Sequence, residues 1–377
     1  MTRRKTIAFF IAALSTGGAE RQTLQLRQHF LELGYRVPLF VYGGDVHEIL
    51  KKQASDADIH LLKISGKPSL KDLLAMKRKF SNVEPDVLIT INMTTHILAA
   101  ILKTMFGLSA PLVNIFHSTV LDRGNGLRLV AYKWALKRTA EMVFVSEMQL
   151  KYWNLRGVAA RHTEAIHNGL DFEHFQPNKA LRKHTRKALN LPENAVLISL
   201  IAGFRPEKNH QQLVRILPKL RSLGHDIRLL FVGEGKTMPD IQHQCEKLGL
   251  NEAVTFAGNQ SDVRPFICAS DIGVLCSFTE AFSLSAIEFL GSGVPMVMSE
   301  TGGAAEIVEN GKNGYLFKVD DDAEALNCFV KLLDVSHRAE LAANARQSIA
   351  QYSLEGMFMK YDQILDRVMA KNVPRGS

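Results

Sequence analysis

Cysteine is scarce in this chain. There are four in 377 residues, Cys245, Cys268, Cys276 and Cys328, all in the second half and none in a C-x-x-C pair. That excludes a disulfide framework and a thiolate zinc site of familiar spacing, and it reads as buried thiols in a reducing cytosol. Long apolar runs are missing too: none reaches the roughly 18 residues needed to cross a bilayer. The start, MTRRKTIAFFIAALSTGGAE, has a basic and then an apolar stretch but no small-x-small cleavage site before Thr16-Gly17-Gly18. A first buried strand is therefore expected there rather than a signal peptide. The dinucleotide fingerprint G-x-G-x-x-G is absent at Gly17-Gly18, which weakens a dehydrogenase reading. Gly235-Lys236-Thr237 looks like the end of a P-loop, but position 230 is Leu where the first glycine is required, and an ATPase reading is discarded. The closing VPRGS reads as a protease-site remnant.

Hydrophobic residues make up 46% of the chain and charged residues 22%, the balance of an ordinary globular protein. Its length favours two domains, each able to bury a core. Residues 1 to 180 carry 24 Lys+Arg against 15 Asp+Glu, and the remainder 22 against 23, so the halves stand at +9 and −1. A basic first half attracts nucleic acid, anionic lipid or an acidic substrate. Short apolar runs alternate with longer helical patterns in both halves. Strands are expected near 6–14, 37–41, 59–64, 86–91, 112–116, 142–145 and 164–166, then near 196–202, 227–232, 254–257, 272–276, 294–298 and 315–317. The fold class is α/β, each half a doubly wound parallel sheet. The pattern breaks at NGLDFEHFQP, 168–177, giving an N-terminal domain over 1–172 and a C-terminal one over 173–353. The segment 354–372 is amphipathic, with Met357, Tyr361, Ile364, Leu365 and Val368 at helical spacing, and either packs back on the first domain or covers its own.

The densest chemistry lies in EAFSLSAIE, 280–288, which runs on into GSGVPMVMSETGGAAEIV. Phe282, Ser283 and Leu284 would open a helix whose free N–H groups and positive dipole end suit a diphosphate. Glu288 lies deeper in that helix and Glu280 in the loop before it, each able to accept hydrogen bonds from sugar hydroxyls. Taken alone, two such glutamates usually mark a solvated face. Gly291 and Gly293 close the helix and Val294 to Met298 follows as a buried strand, so the order is strand, acidic loop, helix, glycine stop and strand. Open α/β sheets bind nucleotides beyond the strand ends in that arrangement. Gly17 and Gly18 repeat the theme after the first strand, where glycine lets backbone approach a substrate and a helix start favours phosphate.

With IHNGLDFEHFQP, FRPEKNH and an early TGGAERQ in the expected order, the chain resembles the retaining glycosyltransferases of family 4, whose GT-B fold has two facing Rossmann-like domains with a cleft between them. The resemblance implies that Glu288 holds the nucleotide ribose, Glu280 the donor sugar, and the amides near Phe282 to Leu284 phosphate and sugar oxygens. Lys208 would neutralise the leaving diphosphate in place of a metal ion. The family often places an arginine five residues before this lysine. Here that position is Gly203, and Arg205 is expected to substitute. His117, just past an apolar strand, would contact the reacting sugar on the first domain, although a lone histidine there is more often structural. The acidic runs Asp56-Ala57-Asp58 and Asp320-Asp321-Asp322 read as structural, the second as a helix cap, so neither a metal nor another cofactor is expected. Gly126 to Ala140, with Arg128, Lys133, Lys137 and Arg138 among Leu129, Tyr132, Trp134 and Leu136, reads either as a helix with one core face or as a rest for an anionic membrane.

The expected activity is transfer of a hexose or N-acetylhexosamine from a nucleoside-diphosphate sugar, a UDP-sugar by preference, to a hydroxyl of a glycan or lipid-linked acceptor in surface polysaccharide or glycolipid synthesis. It would run with retention on the cytoplasmic face of the membrane, and domain closure would exclude water. The alternatives are a sugar-nucleotide epimerase, a glycogen-synthase-like polymerase, and a non-catalytic nucleic-acid or membrane-binding module. No nucleic-acid partner is expected.

Overall fold

The computed structural model describes residues 3–15, 17–44, 46–47, 58–118, 126–192 and 194–370. Asp56-Ala57 and the VPRGS segment lie outside the described residues. The chain divides into two compact units, the first formed by Met1–His167 with Met357–Ser377, the second by Asn168–Gly356.

In the first unit the elements run β1 Ile7–Ile11, α1 Gly18–Glu32, β2 Leu39–Val41, β3 Ile59–Leu61, α2 Leu70–Val83, β4 Val87–Ile91, α3 Asn92–Phe106, β5 Leu112–Phe116, α4 Gly126–Leu136, β6 Thr139–Phe144, α5 Glu147–Asn154 and β7 Thr163–Ala165. All pairings are parallel, in the order β3-β2-β1-β4-β5-β6-β7. Helices cover both faces of such a sheet, which is why β1 is an unbroken apolar run and β4 is apolar but for Thr90, both buried along their whole length. Phe10, Phe40 and Phe80 form part of one core, with Phe40 and Phe80 ring centroids 4.2 Å apart. Phe116, Tyr132, Phe144 and Trp153 form another.

In the second unit they run α6 Lys179–Ala188, β8 Val196–Ile201, α7 His210–Arg221, β9 Ile227–Val232, α8 Met238–Lys247, β10 Val254–Phe256, α9 Arg264–Ala269, β11 Ile272–Leu275, α10 Leu284–Gly291, β12 Met296–Ser299, α11 Ala304–Ile307, β13 Gly314–Phe317, α12 Asp322–Leu333 and α13 Val335–Ser348. The parallel order is β10-β9-β8-β11-β12-β13. Strand order therefore reverses beside β1 in one sheet and beside β8 in the other, the switch points at which such sheets open a crevice beyond their strand ends. The last helix, α14 Leu354–Ala370, belongs from Met357 onward to the first unit. Its buried stripe of Met357, Tyr361, Ile364, Leu365 and Val368 faces that core, and Asp362 meets His29 of α1 at 2.9 Å.

Two expectations need correcting. The strand expected over 6–14 covers only Ile7–Ile11, and the helix expected over Gly126 to Ala140 stops at Leu136, because Thr139 and Ala140 already belong to β6. Tyr132 and Leu136 are core residues, at 0% and 2% exposure, as the core-face alternative for that helix expects. The four cysteines are buried free thiols.

Candidate functional site

The switch point of the second sheet lies between β8 and β11, and the loops that leave these two strands carry the predicted residues. After β11 the chain runs through Glu280 to Ser283, whose hydroxyl accepts the Ala286 N–H at 3.2 Å and caps α10. The Leu284 and Ser285 amides, ahead of the first intrahelical hydrogen bond, have no carbonyl partner within the helix, and such amides suit an anion. Of the helix residues, Glu288 alone is charged, and it is 1% exposed. A carboxylate that deep in an apolar helix costs free energy unless something holds it. Ser292 and Gly293, the latter at φ 75°, end the helix.

After β8 the chain passes Gly203 and Arg205 into a single turn, Pro206–Lys208, that ends on Asn209 in the left-handed region at φ 50°. Backbone ties this loop to the other: the Phe278 N–H donates to the Glu207 C=O at 2.8 Å. Lys208 Nζ then lies 2.6 Å from Glu280 Oε2, with the two side chains 13% and 14% exposed. Ser277 also donates to that oxygen, at 3.4 Å, and is itself braced by the Ser299 hydroxyl. The predicted cation and the predicted loop carboxylate thus meet, and Glu280 lies three residues before the Ser283 cap of α10.

Residues to which the sequence reading gave no part in the site hold them there. Gly303 N–H donates to Ala281 C=O at 2.9 Å, and a Cβ on Gly302, at φ 54°, would lie 1.5 Å from the Glu280 carbonyl oxygen. Asn168 donates to the Phe282 carbonyl at 3.2 Å. Behind Lys208, the Asn209 amide donates to Asp320 at 3.2 Å, and Arg215 binds both Asp320 and Asp322. The Arg215 hydrogen bonds hold the Asp322 carboxyl below its usual range. Asp321 caps α12 by accepting the Glu324 N–H at 2.9 Å. The acid triplet is therefore a buttress and a cap. His210 stacks on Phe204 with centroids 4.1 Å apart, and burial, helped by Lys208, lowers its pKa to about 4.

Arg205 stands apart from this cluster. Its side chain is 57% exposed and pairs with Glu207 at 3.1 Å. It lies beside the vacant Cβ position of Gly203, its Nε 3.9 Å away.

The remaining predicted residues belong to the first unit. Gly17 caps α1 and Gly18 begins it. A Cβ on Gly17 would meet Glu20 Oε2 at 2.4 Å, so an anion at this helix start would face a carboxylate. His117 follows β5 directly, its N–H donating to Asn92 Oδ1 at 2.7 Å. Its ring Nε2 is buried with no hydrogen-bond partner among the described residues, and burial lowers its pKa to about 4.

Known proteins agree with this architecture. The family model described as Glycosyl transferases group 1 matches residues 182–348, and Glycosyltransferase Family 4 matches 16–174. The chain is a GT-B glycosyltransferase of the family 4 type. It is 29% identical over 181 residues to the N-acetyl-alpha-D-glucosaminyl L-malate synthase of Bacillus anthracis, covering 48% of this chain and 47% of that one. It is 25% identical over 293 residues to the UDP-Gal:alpha-D-GlcNAc-diphosphoundecaprenol alpha-1,3-galactosyltransferase of Escherichia coli, covering 74% of each. The chain spans about half the length of curated relatives such as the first. Among solved structures, Anabaena HepE in complex with UDP superposes at a TM-score of 0.84 with 20% identity, over 96% of this chain and all of that one, a likeness of fold.

Proposed function

We propose that this glycosyltransferase moves a hexose or N-acetylhexosamine from a UDP-sugar to a hydroxyl of a glycan or lipid-linked acceptor, with retention and without a divalent ion. One observation carries the reading: the Lys208–Glu280 pair, its side chains 13% and 14% exposed, joins the loops that leave β8 and β11 ahead of α10, the helix that carries the buried Glu288. A fixed ammonium group and first-turn amides complement the charge that develops on a departing diphosphate, and in a shielded site such groups act far more strongly than in water. Glu288 accepts the ribose diol and Glu280 the sugar hydroxyls, with Arg205 swinging from Glu207 to the phosphates. The names of relatives support the donor and acceptor classes, since the Escherichia coli protein is named for a UDP-galactose donor and a diphosphoundecaprenol acceptor.

Retention is what the family resemblance implies, and the carboxylates bear only on its route. A double displacement needs a free carboxylate nucleophile, whereas Glu280 is committed to Lys208 at 2.6 Å. The sugar's anomeric bond to phosphate breaks while the acceptor oxygen bonds on the same face, and the leaving phosphate oxygen takes the acceptor proton. His117 orients a sugar hydroxyl. With a pKa near 4 it is neutral at physiological pH, so it is no acid there. Product stereochemistry by NMR tests this: a retained anomer is expected, and an inverted anomer, or conversion of the UDP-sugar to its epimer without acceptor, would overturn it.

The acceptor side is assigned to the basic first unit. No helix among the described residues is long and apolar enough to cross a membrane. On α4, however, Leu127 and Val130 are 90% and 65% exposed, with Arg128 between them, and this face rather than the aromatic one is the proposed contact with an anionic bilayer on the cytoplasmic side.

A further inference from the structure

The first sheet places two strand ends side by side, since β4 and β5 pair in parallel with Ile91 opposite Ile115. His117 lies two residues past the end of that register, where the ladder no longer supplies a carbonyl for its N–H. Asn92 supplies the acceptor instead. It is the residue immediately after β4, and it adopts φ 65°, a left-handed conformation that non-glycine residues other than Asn and Asp rarely take. That turn aims its side chain across the strand ends, and Oδ1 accepts the His117 N–H at 2.7 Å. Its own carbonyl is held in turn, accepting from Asn114 Nδ2 at 3.3 Å, and Asn114 is anchored by Thr90 at 3.0 Å and by the Tyr132 hydroxyl. Asn114 and Tyr132 are fully buried. A backbone strained at a strand end and locked by a buried network is the pattern of a pre-organised functional residue.

We propose that Asn92 is a positioning residue for His117: its left-handed backbone and its amide oxygen together fix the backbone from which the imidazole projects. The proposal rests on the reading of His117 as a sugar-contacting group. The ring it fixes keeps a buried Nε2 without a hydrogen-bond partner among the described residues, an arrangement suited to a sugar hydroxyl.

Asn92→Gly tests it, because glycine adopts the same φ without strain and removes only the amide. Histidine ring signals followed by NMR through a pH titration give the readout, with His117 assigned by its loss in His117→Ala. In the wild type, burial is expected to hold the His117 midpoint down at about 4 and that of His96, which lies between Thr90 and Thr139, at about 3. In Asn92→Gly, and in Asn92→Ser whose hydroxyl is too short to reach, the His117 midpoint is expected to climb by at least one pH unit while His96 stays put. A His117 midpoint unchanged in both variants overturns the proposal, and so does a parallel shift of His96, which would mean general loosening of the unit. Failure of the donor reading is seen separately, as a melting temperature of the wild-type protein that UDP does not raise.

Discussion

Lys208 and Glu280 neutralise each other in the unliganded protein, so each is pre-aimed and partly desolvated before a donor arrives. Lys208→Ala removes the charge proposed to face the leaving group. Turnover is expected to fall roughly 10²- to 10³-fold, the usual cost of losing one preorganised electrostatic contact, measured as UDP release. Glu288→Gln keeps the shape but weakens hydrogen bonds to a diol. Donor affinity is expected to fall roughly 10-fold or more, since hydrogen bonds to a charged group contribute about 1.5–3 kcal/mol; calorimetric titration with the UDP-sugar checks it. His96, His117 and His210 share a pH consequence. Burial depresses their folded pKa values to about 3, about 4 and about 4, below the ordinary 6.5. The unfolded chain then binds more protons between about pH 4 and 6.5, so stability is fully present above 6.5 and is lost as pH falls through that window. Urea melts at pH 7.5 and pH 5 should show a lower midpoint at pH 5. At this scale the pairing of Glu280 with the lysine of RPEKN was legible only from the order of several motifs, since two glutamates near a helix and a lysine in a loop are each commonplace. Asn92 and Asn209 were not, since a left-handed backbone leaves no mark in residue type when Asn takes the place of Gly.

Among the elements, two contacts place the site. Asp271, at the entry to β11, receives Arg182 at 2.6 Å and Arg186 at 3.1 Å, both from α6, and accepts the Leu197 N–H at 2.8 Å. Asp271→Ala leaves the Arg186 guanidinium buried without its carboxylate. A loss of about 3–5 kcal/mol is expected, as when one partner of a buried ion pair is removed, and a denaturant melt measures it. Gly302→Ala acts on function instead. Its Cβ would lie 1.5 Å from the Glu280 carbonyl, so the loop must move and turnover should fall, while the melting temperature changes less than for Asp271→Ala. β5 and β9 were legible to the residue, over Leu112–Phe116 and Ile227–Val232, because parallel strands buried on both faces are mainly apolar, interrupted here only by Asn114 and Arg228. Where apolar residues spill past the ladder the sequence overran: Thr6 to Leu14 holds a strand only over Ile7–Ile11. In Gly126 to Ala140 helical spacing continued into residues that β6 claims, as local periodicity cannot see a partner strand.

For the whole molecule, the uneven charge and the exposed Leu127 and Val130 carry the membrane proposal. Leu127→Asp is expected to reduce sedimentation with phosphatidylglycerol-containing vesicles and leave UDP binding intact. Binding that is equal for both proteins would remove α4 from the contact. The division into two units was legible from the turn-rich 168–177 segment, and the structure places the boundary at Asn168. The return of the chain was less so, since an amphipathic stripe such as that of α14 names a buried face but not the core that buries it.

The central claim is that the second unit grips a diphosphate with Lys208 and the start of α10. Thermal melts of the wild type and Lys208→Ala with UDP test it most directly, because a ligand at a hundred times its Kd stabilises the state it binds by about 2.7 kcal/mol. UDP should raise the wild-type melting temperature and barely move that of Lys208→Ala. An equal rise in both, or none in the wild type with either UDP or GDP, would contradict the account.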